Sequence, residues 1–340
     1  TLLLNSSCLD CTMNGQKIES VKAWQSNAET FHIVKAEYFA DCSGDSILST
    51  LSGAEFMYGR EAKSDFDETI PPDVADKKTM GMSCLFQIRE TDHPVPFSPP
   101  DFAYKYETDA DLPFKKHNLE NNFWWIEVGG EWDCIHDTDR CRDELLKICY
   151  GVWDHMKNHG DHGAENWELE WVGFLPGKRE SRRYEGAYIL NQRDLEEGHS
   201  FPDTVAFGGW TMDNHSPLGF KYEGYSSRHI SPKVPYEIPF RSLYSHNVPN
   251  LMFAGRNIGA THMAMSSTLV MATCALIGQA AGTGAAVAVK HDCLPAVVTT
   301  EHMSELQKLL LDDGCFLPGV VRSVSGDAKV QVSGEDAALL

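Results

Sequence analysis

The chain has 340 residues, 42% of them hydrophobic and 23% charged, and a formal net charge of −20. That length can hold two domains with sizeable cores, and so anionic a surface repels phosphate backbones, which excludes nucleic acid as a main partner. No unbroken run of about 18 apolar residues marks a membrane span, the opening residues lack a signal-peptide pattern, and ten scattered cysteines suit reduced thiols, so a cytoplasmic protein is expected.

Residues 1–13 and 17–24 are β-rich and flank Asn14-Gly15, a hairpin signal. Residues 31–39 read as a third strand, running into Asp41-Cys42-Ser43-Gly44-Asp45. A short helix over 47–53 is expected next, capped by Ser46 or Asp45. A polar stretch (60–78), a strand (80–89), a proline-rich loop (93–100) and an aromatic strand (122–128) follow. Residues 138–158 form the clearest helix: Leu145, Ile148, Cys149, Val152, Trp153 and Met156 share one face at 3.6-residue spacing. Strands are then expected over 167–175, 184–191 and 204–210, with a loop at 213–217. Residues 236–243 precede a buried strand, 248–255, which ends in Gly255-Arg256. A loop of small residues leads to an Ala/Gly-rich helix over 272–290 and a last amphipathic helix over 300–312. The final 15 or so residues are polar.

Three segments can carry chemistry. Small residues at the strand end 41–45 let backbone approach a bound group, although a strand followed by a capped helix reads the same way. At 250–284 a strand delivers Gly255, Arg256, Asn257 and Gly259 ahead of a helix opening at Met271, Ala272 and Thr273. A helix start offers free N–H groups and positive potential, which suits the pyrimidine edge of a flavin. Gly278, Ala281, Gly282 and Ala285 form a smooth face suited to packing on a sheet. In 178–183, KRESRR, Arg179 and Arg182 could hold a carboxylate or an anionic intermediate; a solvated turn is the equal alternative. Cys8 and Cys11 lack further close cysteines, and His155, His159 and His162 have no obvious fourth ligand, so no metal is expected. The tryptophans crowded between 124 and 210 suit core packing more than a sugar-stacking platform.

Three stretches, 38–61, 175–195 and 236–286, resemble the bacterial FAD-dependent oxidoreductases, relatives of heterodisulfide reductase A-like flavoproteins and, more distantly, of glutathione reductase. The resemblance implies an α/β fold: a FAD-binding Rossmann-like domain interrupted by a mostly β substrate domain. It divides the chain into 1–53 and 236–292 (FAD domain), 54–235 (substrate domain) and 293–340 (C-terminal helix and tail). It implies FAD as cofactor, held by Asp41, Gly44, Asp45, Gly255, Arg256, Asn257 and the helix start at Met271, Ala272 and Thr273. Such proteins open with a G-x-G-x-x-G unit. That pattern is not found here, so residue 1 is expected to follow that unit, making this chain an incomplete part of the protein. The implied activity is hydride transfer between flavin and a small organic substrate, oriented by Arg179 and Arg182, with His215 or His262 as acid or base. The rival reading is a glycan- or partner-binding fragment that has lost FAD. A homo-oligomer is compatible with either.

Overall fold

The computed structural model describes residues 1–322; the polar C-terminal tail lies outside the described residues. Strands β1 (Ser6–Asn14), β2 (Lys17–Gln25) and β3 (Thr30–Lys35) form an antiparallel meander. Gly15 turns the first hairpin at φ 61°, a left-handed angle that a Cβ would disfavour. The strand expected over 31–39 breaks after Lys35, and β4 (Phe39–Asp41) is separate. Asn250 enforces the break: its side chain bonds Ile18 N and O in β2 and also Glu37 O, while its carbonyl accepts from Phe39 N. The chain thereby changes partner between β3 and β4. Helix α1 (Ile47–Ser52) follows.

Strand β5 (Phe56–Met57) and helix α2 (Lys63–Phe66) lead to β6 (Met82–Ser83) and β7 (Phe86–Glu90), which divide the strand expected over 80–89. Only β8 (Glu127–Val128) is extended within 122–128. A tight turn, with Ile126 N–H donating to Phe123 O at 2.9 Å, sends both Trp125 and Ile126 into the core. Two-residue alternation on a one-faced strand would expose one of them. Helix α3 (Thr138–Asn158) has the expected bounds, and all six residues of its apolar face are buried.

Next come β9 (Trp167–Val172), β10 (Gly177–Lys178), β11 (Arg183–Tyr184) and α4 (Gln192–Glu197). The strand expected over 184–191 is therefore two residues long, continued by single bridges from Gly186 to Ser245 and from Leu190 to Ala260. Strands β12 (Thr204–Gly208), β13 (Met212–His215), β14 (Ser227–Ile230), β15 (Tyr236–Pro239) and β16 (Leu251–Phe253) follow. The stretch 213–217, expected as loop, opens inside the β13–β14 hairpin. The loop expected before the Ala/Gly helix holds α5 (His262–Thr268), where the Thr261 hydroxyl accepts from Ala264 N. Helices α6 (Met271–Lys290), α7 (Pro295–Glu301) and α8 (Met303–Asp312) complete the described chain.

Strand β16 runs parallel to β4 and sets Phe253 opposite Asp41; among the described residues every other paired strand is antiparallel. Two apolar cores result. One gathers Phe39, Tyr184, Phe240, Phe253, Ile277 and Leu306. The other gathers Met82, Phe86, Phe123, Leu145 and Trp153. The architecture is a mixed α/β one.

Helix α6 is long and apolar enough to cross a membrane by length and composition. Its apolar residues Ile277, Ala280, Ala281, Val287 and Ala288 are spent on the first core. The glycine that permits close packing there is Gly284, where a Cβ would meet the Phe240 ring at 2.4 Å. Gly278 and Gly282 face open space instead.

Candidate active site

The parallel pair β4 and β16 brings the two predicted cofactor segments together. Asp41 is buried and organises its own loop: one carboxylate oxygen accepts from Ser43 N, the other from Leu48 N and from the Tyr184 hydroxyl at 2.6 Å. It thus does the work expected of a cap for α1. Ser46, in a left-handed conformation, donates its hydroxyl to Arg182 O instead. Asp45 accepts from Lys178 Nζ at 2.9 Å, Ser181 Oγ at 2.8 Å and Arg256 Nη2 at 3.0 Å. Burial opposes its charge, yet these partners hold its carboxyl below the usual range.

The Arg256 guanidinium lies across Gly44, where a Cβ would stand 2.6 Å from its central carbon. Gly44 has φ 75° and Gly255 φ 103°, so both need glycine. Asn257 donates its amide to Asp41 O. Among the described residues, Arg256 Nε and Asn257 Oδ1 are buried without a partner. An unused donor and an unused acceptor beside two bare glycines fit a polar group laid against this loop.

The start of α6 carries Cys274 in its first turn. Burial pushes the Cys274 thiol up, and the Arg256 charge, felt in that first turn, acts against the rise. Met271 is 90% exposed and Thr273 is buried. Among the described residues no side chain caps this helix, so its first N–H groups are left without a side-chain acceptor at its positive end.

Immediately before that helix start, Ser266, Leu269 and Val270 form one wall of a cleft of about 460 Å³. Met80, Trp124, Arg179, Trp210, Asp213 and His215 line the rest. Arg179 follows β10, which pairs with β6, which in turn pairs with β8. The same sheet places Glu127 beneath the cleft. Arg179 Nη1 lies 3.4 Å from Glu127 Oε2 and donates to Gly81 O at 3.1 Å. His215 Nδ1 meets Glu127 Oε2 at 2.6 Å, and His215 Nε2 meets Asp213 Oδ2 at 3.0 Å. Burial opposes the imidazolium, but the bonds to Asp213 and Glu127 outweigh it and push His215 up to about 9. Burial likewise opposes the Asp213 carboxylate, while His215 holds it below its ordinary value. Asp213 Oδ1 is buried with no close hydrogen bond among the described residues; His229 Nδ1 stands 3.6 Å away across the β13–β14 register, and the Ser227 hydroxyl also helps to hold the carboxyl down.

The predicted residues thus part company. Arg179 and His215 reach the cleft, but both nitrogens of His215 are taken by carboxylates. Arg182 does not line the cleft: its Nε donates to Asp45 O and its guanidinium lies over Phe56. His262 does not line the cleft either: its backbone N–H is on Glu61 and its Nδ1 on Glu180, while its Nε2 is buried without a partner among the described residues. Asp213 and Glu127 were not singled out from sequence, and Trp124 and Trp210 stood among tryptophans read as core, whereas both line the cleft and Trp210 is 51% exposed. The signal for one of them was present: Asp213 and His215 are two apart, which in a strand puts them on one face. Reading 213–217 as loop hid it.

The FAD dependent oxidoreductase family model matches residues 1–310, and the chain belongs to that family, whose cofactor is FAD. No curated protein matches the chain, and no solved structure does.

Proposed function

From that membership we propose that the chain is an FAD-dependent oxidoreductase whose substrate occupies the cleft between Arg179, Asp213 and the start of α6. When bound, FAD supplies hydride acceptance and donation. Gly44, Gly255, Arg256 and Asn257 would hold it, with Met271, Ala272 and Thr273 offering N–H groups to its polar edge. The observation that carries the reading is Asp213 Oδ1, a buried acceptor without a partner on the wall of a cleft that opens at an uncapped helix start.

A substrate hydroxyl is the donor that such an oxygen accepts, and the carboxylate is placed to take up its proton. His215, charged at neutral pH, holds Asp213 in position and keeps it ionised. Arg179 offers positive charge to an oxygen that becomes negative. The indole faces of Trp124 and Trp210 flank the apolar side of the substrate. A second groove, lined by Phe114, Trp125 and Tyr225, shares Asn122, Trp124 and His229 with the first. Together they suit an extended hydroxylated compound of the sugar type. Family membership favours this enzyme over a binding fragment that has lost FAD.

The test is anaerobic mixing of the flavin-loaded full-length protein with sugars and polyols while the flavin band is followed. Bleaching by a hydroxylated substrate, lost in Asp213→Asn with flavin content unchanged, supports the proposal. Bleaching that Asp213→Asn and Trp210→Ala leave untouched overturns the assignment of the cleft.

A further inference from the structure

A separate cluster on the second core points to a metal. Four donor atoms, from Asp109, His117, His155 and His162, all lie within 4.8 Å of one another. Asp109 Oδ1 lies 3.1 Å from His155 Nε2, 3.3 Å from His117 Nε2 and 3.6 Å from His162 Nε2. His155 and His162 approach Nε2 to Nε2 at 3.1 Å. A tetrahedral zinc site with metal–nitrogen bonds near 2.0–2.1 Å has ligand-to-ligand edges of about 3.3–3.4 Å. The four spacings straddle that edge.

Proton bookkeeping leads to the same place. His155 Nδ1 faces Tyr106 O at 2.9 Å and His117 Nδ1 faces Lys115 O at 2.5 Å. A carbonyl can only accept, so in both rings the hydrogen sits on Nδ1, and the neutral ring turns a bare Nε2 inward. Where both rings are neutral, two bare nitrogens, a carboxylate oxygen and a third imidazole converge. A carbonyl behind the ring is also the outer-shell arrangement that fixes metal-binding histidines. Lys115 is committed elsewhere, to Tyr222 O, Gly224 O and Ser226 Oγ, and among the described residues the ion-pair partners of Asp109 are all histidines.

We propose that Asp109, His117, His155 and His162 bind one divalent transition metal of the zinc class. Four protein donors leave no open position, which makes the site structural. It pins residues 109–117 to the C-terminal turns of α3, and this pinned segment leads into Asn122 and Trp124, which line the cleft. Sequence spacing suggested His155, His159 and His162. The structure replaces His159, which turns to Asp154 at 3.5 Å, with His117 from a remote segment. Two other groupings, His291–His302–Glu305 and Glu55–Glu185–His246, have three donors each, and Glu305 is already shared between Lys290 and His291.

The test uses tag-free full-length protein, elemental analysis and Co²⁺ titration read by its visible ligand-field band. One equivalent of zinc per chain, or a four-coordinate cobalt spectrum saturating at one equivalent, is expected. Asp109→Ala and His117→Ala, both at the open side of the cluster, should each weaken cobalt binding at least about tenfold, the loss that even an outer-shell change causes. Their circular dichroism should be retained, and His302→Ala should leave the stoichiometry unchanged. Absence of both zinc and a cobalt band in the unaltered protein overturns the proposal. So does binding that survives both cluster variants and disappears in His302→Ala.

Discussion

Two clusters built from the same residue types sit close together in this protein and do different things. One is Arg179, Glu127, His215 and Asp213; the other is Arg183, Glu180, Glu61 and His262. In the first, the charged groups form a chain that ends at an unpartnered carboxylate oxygen facing a cleft. In the second, Arg183 is 0% exposed and donates to Glu180 Oε1 at 2.9 Å, Glu61 Oε1 at 2.6 Å and Gly59 O at 2.7 Å. Glu180 also accepts from Met80 N. The network binds β11, the 59–61 segment and the start of α5 into one unit, with Arg183 Nε and His262 Nε2 buried without a partner among the described residues. Charge identity therefore does not distinguish the two clusters; what distinguishes them is that Arg179, Asp213 and His215 line a cleft, whereas Arg183, Glu180, Glu61 and His262 do not.

The largest effect that sharpens this contrast is expected from Arg183→Met. It strands two buried carboxylates and should cost about 3–5 kcal/mol of stability in denaturant unfolding, with activity per folded molecule little changed. If stability holds and turnover collapses instead, the contrast fails. Asp213→Asn should act mainly on turnover: kcat/KM down roughly 100-fold, about 2.7 kcal/mol of transition-state stabilisation, with a smaller loss of stability, because Glu127 still pairs with His215.

Gly44→Ala tests the other side of the site. A left-handed alanine costs about 1–2 kcal/mol, and its methyl displaces the Arg256 guanidinium, so flavin content per chain should fall in absorbance measurements. The pH dependence comes next. His215 is raised to about 9, so its favourable contribution is complete below its ordinary value near 6.5 and is lost as pH rises through about 9. Both kcat/KM and stability should therefore decline across that alkaline window, and His215→Gln should abolish the kcat/KM limb. The depressed carboxyls of Glu127 and Asp213 act oppositely, losing their contribution as pH falls through their lowered values. The smallest effect is expected from Arg182→Ala: half-exposed and bonded to one carbonyl, it should shift stability by under about 1 kcal/mol and leave turnover intact. A large loss of turnover there would move the substrate to the Asp45 side.

Local rules carried the reading where periodicity was long or turn chemistry specific. The hairpin at Asn14-Gly15 and helix α3 stand where the pattern put them, since a hairpin turn and a six-residue apolar face are encoded within a few neighbours. The Gly44–Arg256 meeting was legible only through the family resemblance. The short strands were misjudged where neighbours overrode propensity: Asn250 breaks the strand after Lys35, and the turn at Phe123 breaks the aromatic one. The KRESRR run shows the limit best. Arg179, Arg182 and Arg183 are interchangeable as letters, yet one reaches the cleft, one the surface and one the core.

The sequence by itself determined an anionic mixed α/β chain, its hairpin, its long helices and its membership of a flavin-dependent family, because these rest on composition and on patterns within short windows. Only the tertiary structure decided that Asp213 joins His215 on the cleft wall, that His262 lies away from it, and that His117 joins His155 and His162 around Asp109. Those outcomes depend on which distant segments face each other and on which polar atoms burial leaves without a partner, and no local pattern encodes either.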